Sequence, residues 1–245
     1  MSPRDILTRP APPPDATVRY GDLPDQVADV RGAGHQTLVL LHGGFWRPQY
    51  DRAHLGTLSA ALAAEGFTVY TPEYRRTGWP GMFDDVAAFL DGLTGDPVLI
   101  GHSAGGHLAL WAAVRHNLPA DCRWHTSRRP AGVISLAGCS SLVNTDAWGL
   151  DVDAAAVMMG GHAADLPDRY ALADPAALLP LDVPVTLIHG DRDGRVPIAM
   201  SEQFAAASGA RLIVLGGIEH YALIDPADPV TWPVLRSLLT GQVTL

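Results

Sequence analysis

The sequence predicts an α/β fold: a mostly parallel central sheet, helices on both of its faces, and a small cap insertion. Three observations carry this expectation. Short apolar runs alternate with longer stretches of helical spacing. The apolar runs lack the in/out alternation of a half-exposed sheet, as strands covered on both faces do. The regular exchange between the two element types makes the sheet mostly parallel. A chain of 245 residues with 47% hydrophobic and 18% charged residues buries a large core without a disulfide or metal staple.

The elements follow in order. Residues 1–19, with prolines at 3, 10, 12, 13 and 14, read as an extended arm with no apolar core of a signal peptide. Residues 20–245 form a single domain. Thr37–Leu41 is a buried strand that ends at His42-Gly43-Gly44. Asp51–Glu65 has helical spacing and stops at Gly66; Phe67–Thr71 is the next strand, halted by Pro72. Met82–Leu93 is a helix with Met82, Val86, Phe89, Leu90 and Leu93 on one face. Pro97–Ile100 is a strand running into Gly101-His102-Ser103, and Ala104–His116 is the helix after it. Gly132–Leu136, Val183–His189 and Arg211–Leu215 complete the strands. Pro197–Ala207 and Asp228–Leu239 complete the helices, with their prolines expected in or near first turns. The stretch of about 144–180 is too long for an ordinary crossover and holds several helix-sized fragments, so it is read as the cap.

Composition excludes several chemistries. All 17 basic residues are arginine, so there is no lysine for a Schiff base, a phosphate-binding loop or a Ser-Lys pair. A formal charge of −9 without an arginine-dense stretch argues against a nucleic-acid partner. No apolar run approaches the ~18 residues of a membrane span. Cys122 and Cys139 form neither a disulfide framework nor a CxxC pair. The expected location is the cytoplasm, with both thiols reduced. No metal or organic cofactor is expected, and a homodimer is left open.

The chemistry starts at Gly101-His102-Ser103-Ala104-Gly105, a G-x-S-x-G pattern between a strand and a helix. Such a turn holds a serine hydroxyl above the sheet at a helix N-terminus, where the helix dipole favours a developing oxyanion. An alcohol needs a base. Of the ten histidines, His220 sits on the loop after the last strand, at the carboxyl edge where ligands approach an open α/β sheet. His42, His102, His107 and His189 read instead as bracing or packed residues. The orienting acid comes from the loop after the penultimate strand, which offers Asp191 and Asp193; Asp193 is preferred because Val196-Pro197 opens the next helix behind it. The order Ser, Asp, His is that of α/β-hydrolase sheets. An oxyanion hole is expected from the amides of Gly44 and Phe45, after the first strong strand, and of Ala104 in the turn itself. Trp46, Trp79, Trp148, Met158 and Tyr221 are candidates for substrate contact, with Met159 and Tyr170 as further wall residues.

These motifs resemble the α/β-hydrolases, and within them the esterase/kynurenine formamidase (arylformamidase) group, from about Tyr20 to Leu239. His42-Gly43-Gly44-Phe45-Trp46 is similar to the group's HGG-aromatic-Trp motif, with phenylalanine where tyrosine is usual. Gly101 to Ala109 is similar to its GHSAGxHLA turn. Tyr20-Gly21, Gln26 and Asp29, then Glu73-Tyr74-Arg75-Arg76, Gly78-Trp79-Pro80 and His220-Tyr221 with Ile224-Asp225-Pro226 match bacterial members. The resemblance implies an α/β-hydrolase fold with Ser103 as nucleophile, Asp193 as acid and His220 as base. It implies hydrolysis of small carboxylic esters or aryl formamides through an acyl-enzyme. A kynurenine-like carboxylate would need an arginine, for which Arg47, Arg75 and Arg76 are candidates. Two other readings compete: a biosynthetic acyl transferase or cyclase using the same triad, and a non-catalytic ligand-binding hydrolase fold.

Overall fold

A computed structural model describes residues 3–241. Met1 and Ser2 of the expected arm and residues 242–245 at the end of the domain lie outside them. Eight strands form one sheet: β1 (Ala16–Arg19), β2 (Val27–Arg31), β3 (Thr37–Leu41), β4 (Thr68–Pro72), β5 (Val98–His102), β6 (Gly132–Leu136), β7 (Val185–Gly190) and β8 (Arg211–Leu215). Their spatial order is β1-β2-β4-β3-β5-β6-β7-β8. The pairs β1–β2 and β2–β4 are antiparallel, and all the others are parallel.

The six parallel strands are those read from the sequence, within one or two residues at their ends. β1 and β2 were not anticipated. Every residue of β1 is exposed, and β2 (VADVR) carries charges among its apolar positions. The edge strand β1 faces water and needs no apolar run, and β2 behind it buries only Ala28 and Arg31.

Both faces of the sheet are covered, because neighbouring residues along each strand enter opposite layers. Val39 and Leu41 of β3, Leu99 of β5 and Leu187 of β7 pack with the helices α2 (Gly81–Gly92), α3 (Ala104–Val114) and α7 (Ala199–Ser208). Leu38 and Leu40 of β3, Ile100 of β5 and Ile188 of β7 pack with α1 (Gly56–Ala64) and α8 (Thr231–Leu239). Three short helices, α4 (Leu142–Ala147), α5 (Ala154–Met159) and α6 (Pro167–Ala173), make up the insertion between β6 and β7.

The N-terminal arm departs from an extended strap. Pro3–Thr8 is a 3-10 helix, and Ile6 is wholly buried in the layer of α1 and α8. One isoleucine among prolines gave no periodicity to read, yet its burial fixes the segment to the domain.

Chain order explains where a site can form. β4 lies on one side of β3, and β5 on the other, so the strand order reverses there. Such a reversal opens a crevice at the carboxyl ends of the strands. The loops after β3 and β5 flank that crevice.

Candidate active site

Ser103 follows β5 and caps α3 with φ 56° and ψ −119°. A non-glycine residue in this region costs on the order of 1–3 kcal/mol, a strain that persists only where the surroundings enforce it. They do so here. The Ser103 amide donates to the Leu136 carbonyl at 2.9 Å, and its own carbonyl accepts from Gly106 at 2.9 Å and from His107 and Cys139 at 3.2 Å. Gly105 lets the turn sit against β3: a Cβ there would stand 2.0 Å from the Leu41 carbonyl oxygen. Ala104 is the first residue of α3, so its amide has no partner within the helix.

His220 opens the 3-10 helix His220–Ile224, placed by the loop after β8. Its Nδ1 donates to Asp193 Oδ2 at 2.6 Å, with the ring 4% exposed and the carboxylate fully buried. That bond commits Nδ1 and leaves Nε2 as the nitrogen available for proton transfer. Asp193 is held from several sides: Oδ1 accepts from the amides of Arg195 at 2.7 Å and Val196 at 2.8 Å, and His189 Nε2 lies 3.4 Å from Oδ2. Burial by itself pushes this carboxyl up, but the contacts from His189, His220 and the Val196 amide together hold it far below the usual carboxylate range. Asp191 does something else: its Oδ1 accepts from the Gly217 amide at 2.6 Å and closes the turn after β8.

The loop after β3 turns through three consecutive residues of positive φ: Gly44 at 115°, Phe45 at 47° and Trp46 at 57°. Gly44 is required, since a Cβ would lie 2.4 Å from the Tyr50 Cβ. The loop is braced beneath by Glu73, which is 3% exposed. Glu73 contacts His42 Nε2 at 2.9 Å and accepts from the Arg52 amide at 3.0 Å and from Arg76. Tyr74 stacks on His42 with ring centroids 4.1 Å apart and donates to the His42 carbonyl at 2.7 Å.

Gly44, Phe45, Ser103 and His220 line one pocket of about 330 Å³, open solvent at its mouth included, together with Leu7, Tyr50, His54, His102, Arg195 and Tyr221. That size is near the lower end for small-molecule sites. His102, next to the serine, donates from Nε2 to the His220 carbonyl at 3.0 Å, which ties the serine turn to the histidine loop.

The five substrate-contact candidates separate. Tyr221 lines this pocket. Trp46 and Met158 line a neighbouring groove that shares only Phe45 with it. Trp79 packs against Phe83 and Trp124 in an aromatic cluster and is not among the residues lining the Ser103 pocket, and Trp148 ends α4 at the surface, 37% exposed. Met159 and Tyr170 are buried in the core. Arg75 is committed to Asp85, Arg76 to Glu73, and Arg47 to Asp151 and the carbonyl of Val152. The guanidinium that reaches the pocket is Arg195, 5.5 Å above the Phe45 ring and 2.7 Å from Asp151. Leu7, Tyr50, His54 and Arg195 were missed as pocket residues, because each arrives by tertiary folding and none sits in a local motif.

Residues 26–207 match the family model BD-FAE, well over half of the chain. The chain belongs to the BD-FAE family. Solved structures similar to this BD-FAE member share its fold at low identity. A truncated carbohydrate esterase from gut microbiota superposes with TM-score 0.73 at 20% identity, over 93% of this chain and 96% of that one. Esterase B from Lactobacillus rhamnosis gives TM-score 0.75 at 19% identity over 98% and 89%. A thermophilic esterase from the planctomycete Thermogutta terrifontis gives 0.72 at 19% over 96% and 95%. The fold is thus that of the α/β-hydrolases. A comparison with curated proteins returns no match. Among the described residues of this BD-FAE chain, no group of three or more His, Cys, Asp and Glu side chains is placed to hold a metal ion, and no helix is long and apolar enough to cross a membrane.

Proposed function

We propose that this protein is a serine esterase acting on small carboxylic esters through Ser103, His220 and Asp193. One observation carries the reading: a serine on a strained strand-to-helix turn shares a pocket with a histidine whose Nδ1 is bonded at 2.6 Å to a buried carboxylate. Membership of the BD-FAE family and the esterase names of the structural relatives support the same reaction class.

His220 Nε2 accepts the Ser103 proton as the hydroxyl oxygen attacks the substrate carbonyl. Asp193 keeps the ring proton on Nδ1 and stabilises the imidazolium that forms. The amides of Gly44, Phe45 and Ala104 receive the oxyanion; each such donor supplies ~2.7–4 kcal/mol of transition-state stabilisation. His220 returns the proton to the departing alcohol. Water, deprotonated by the same ring, then releases the acyl group from Ser103.

The finer reading adds aryl formamides as substrates. Formyl is the smallest acyl group and suits a pocket of this size, and Arg195 is the guanidinium that lines it, although an amino-acid carboxylate would have to share it with Asp151. Ser103→Ala tests the core of the proposal: turnover of p-nitrophenyl acetate is expected to fall to background with the fold retained. Near-wild-type turnover would remove the assignment. Kinetics of N-formylkynurenine beside short and long p-nitrophenyl esters test the finer part. A strong preference for the formamide supports it, and preference for short esters alone leaves a carboxylesterase.

A further inference from the structure

One wall of the pocket comes from outside the sheet and its loops. Leu7, on the 3-10 helix Pro3–Thr8, faces the same space as Ser103, beside Tyr50 and His54. Its position is fixed from both sides. Ile6 is wholly buried in one layer with Ala222, Leu223 and Ile224. Arg9 forks onto Asp225 at 2.6 and 2.8 Å. Ala222, Leu223 and Ile224 belong to the 3-10 helix that starts at His220, and Asp225 ends it. The wall residue and the histidine are therefore packed as one unit.

Leu7 and Tyr50 also border a second, wider groove, of about 810 Å³ with open solvent included, whose other walls are Arg4, Asp5, Thr8 and Gln49. The two side chains thus stand as a partition between the small pocket and the groove.

We propose that Leu7 is a specificity-determining residue that sets the length of the alkyl group held beside Ser103. This rests on the esterase reading. The Leu7 isobutyl group, with Tyr50, ends the space open to an unbranched chain; trimming it joins that space to the groove beyond. Each methylene newly buried is worth about fourfold in kcat/KM, so two or more extra carbons give roughly tenfold or more.

The experiment compares wild type, Leu7→Ala and Leu7→Trp on two ester series. One varies the acyl group from acetate to octanoate with p-nitrophenol as leaving group. The other varies the alcohol with acetate fixed, followed by proton release. In one of the series, Leu7→Ala is expected to raise the long-to-short ratio of kcat/KM about tenfold, and Leu7→Trp to lower it. Leu7 is only partly buried, so both variants are expected to fold, which thermal melting checks. Ratios that stay at the wild-type value in both series for both variants would overturn the inference. Ser103→Ala is run in parallel. Activity surviving in that variant defeats the esterase reading itself, whereas its loss alongside unchanged Leu7 ratios defeats only the role of Leu7.

Discussion

Replacing Asp193 by asparagine tests the site at its most constrained atom. The side chain keeps its volume, and two of its bonds decide which way the new amide points. Oδ1 accepts from two backbone amides, Arg195 at 2.7 Å and Val196 at 2.8 Å. Only an oxygen can remain there, so in Asp193→Asn the NH2 group takes the place of Oδ2, opposite His220 Nδ1. An NH2 group donates, which forces the ring proton from Nδ1 to Nε2. A ring protonated at Nε2 has no lone pair for the Ser103 hydroxyl. Reversing the tautomer in a Ser-His-Asp arrangement costs ~10⁴-fold in kcat, or about 5.5 kcal/mol of barrier. Initial rates on p-nitrophenyl acetate measure kcat and KM separately, and thermal melting confirms that the variant folds. KM is expected to change little, because no substrate contact is removed. Asp191→Asn is the control. Asp191 is exposed and bonds the Gly217 amide, so activity is expected to stay within about threefold of wild type. An Asp193→Asn enzyme that keeps more than about a tenth of wild-type kcat, folded, would refute the assignment of this carboxylate.

Two further outcomes are expected. Gly44→Ala places a methyl group 2.4 Å from the Tyr50 Cβ at a φ of 115°, so the loop shifts; kcat is expected to fall by about 10²–10³, the loss of an oxyanion donor, while Tm changes less. Acid is expected to destabilise the fold well above the carboxylate range. Burial and the neighbouring His42 push His54 down to about 3, burial pushes His107 down to about 4, and burial with the nearby His220 holds His102 well below its ordinary value. Unfolded, these rings take up protons near ~6.5, so below that pH the unfolded chain binds more protons than the native one, and each ring removes about 1.4 kcal/mol of stability per pH unit. The contribution of Asp193, whose folded value is depressed, is retained above the unfolded value and lost only below ~4. Calorimetric Tm values are therefore expected to fall steadily from pH ~6.5 to ~5; a flat or rising profile would contradict the burial of neutral rings.

The parts of the fold visible in the sequence are those where one physical demand dominates. β3, β5, β6 and β7 are buried throughout or nearly so, and that demand writes an apolar run. The turn at Ser103 is legible because backbone crowding at Gly105 admits nothing larger. β1 faces water at the edge, where many sequences serve equally well, and β2, half-buried behind it, mixes charged with apolar residues and so writes no apolar run. Asp191 and Asp193 could not be separated from spacing with certainty, since both lie on one tight loop and only the bonds to Gly217 and His220 distinguish them. Aromatic residues misled most as pocket candidates. Trp79 lies near the active edge in sequence, but a ring of its area finds more partners in the Phe83–Trp124 cluster than at a pocket rim. Leu7 was invisible for the converse reason: an aliphatic residue in a proline-rich arm carries no signature of the wall it builds.

Asp151, in the insertion between β6 and β7, is gripped both by Arg47 from the loop after β3 and by the pocket residue Arg195 from the loop after β7. It opens a run of three left-handed residues, Asp151, Val152 and Asp153, with φ of 48°, 56° and 54°. A valine in that conformation is under tension, on the order of 1–3 kcal/mol, which offsets part of what the two arginines contribute. The segment that carries Asp151 is thus pinned against its own backbone tension by two half-exposed ion pairs, and because salt screens such pairs, its anchorage slackens as ionic strength rises.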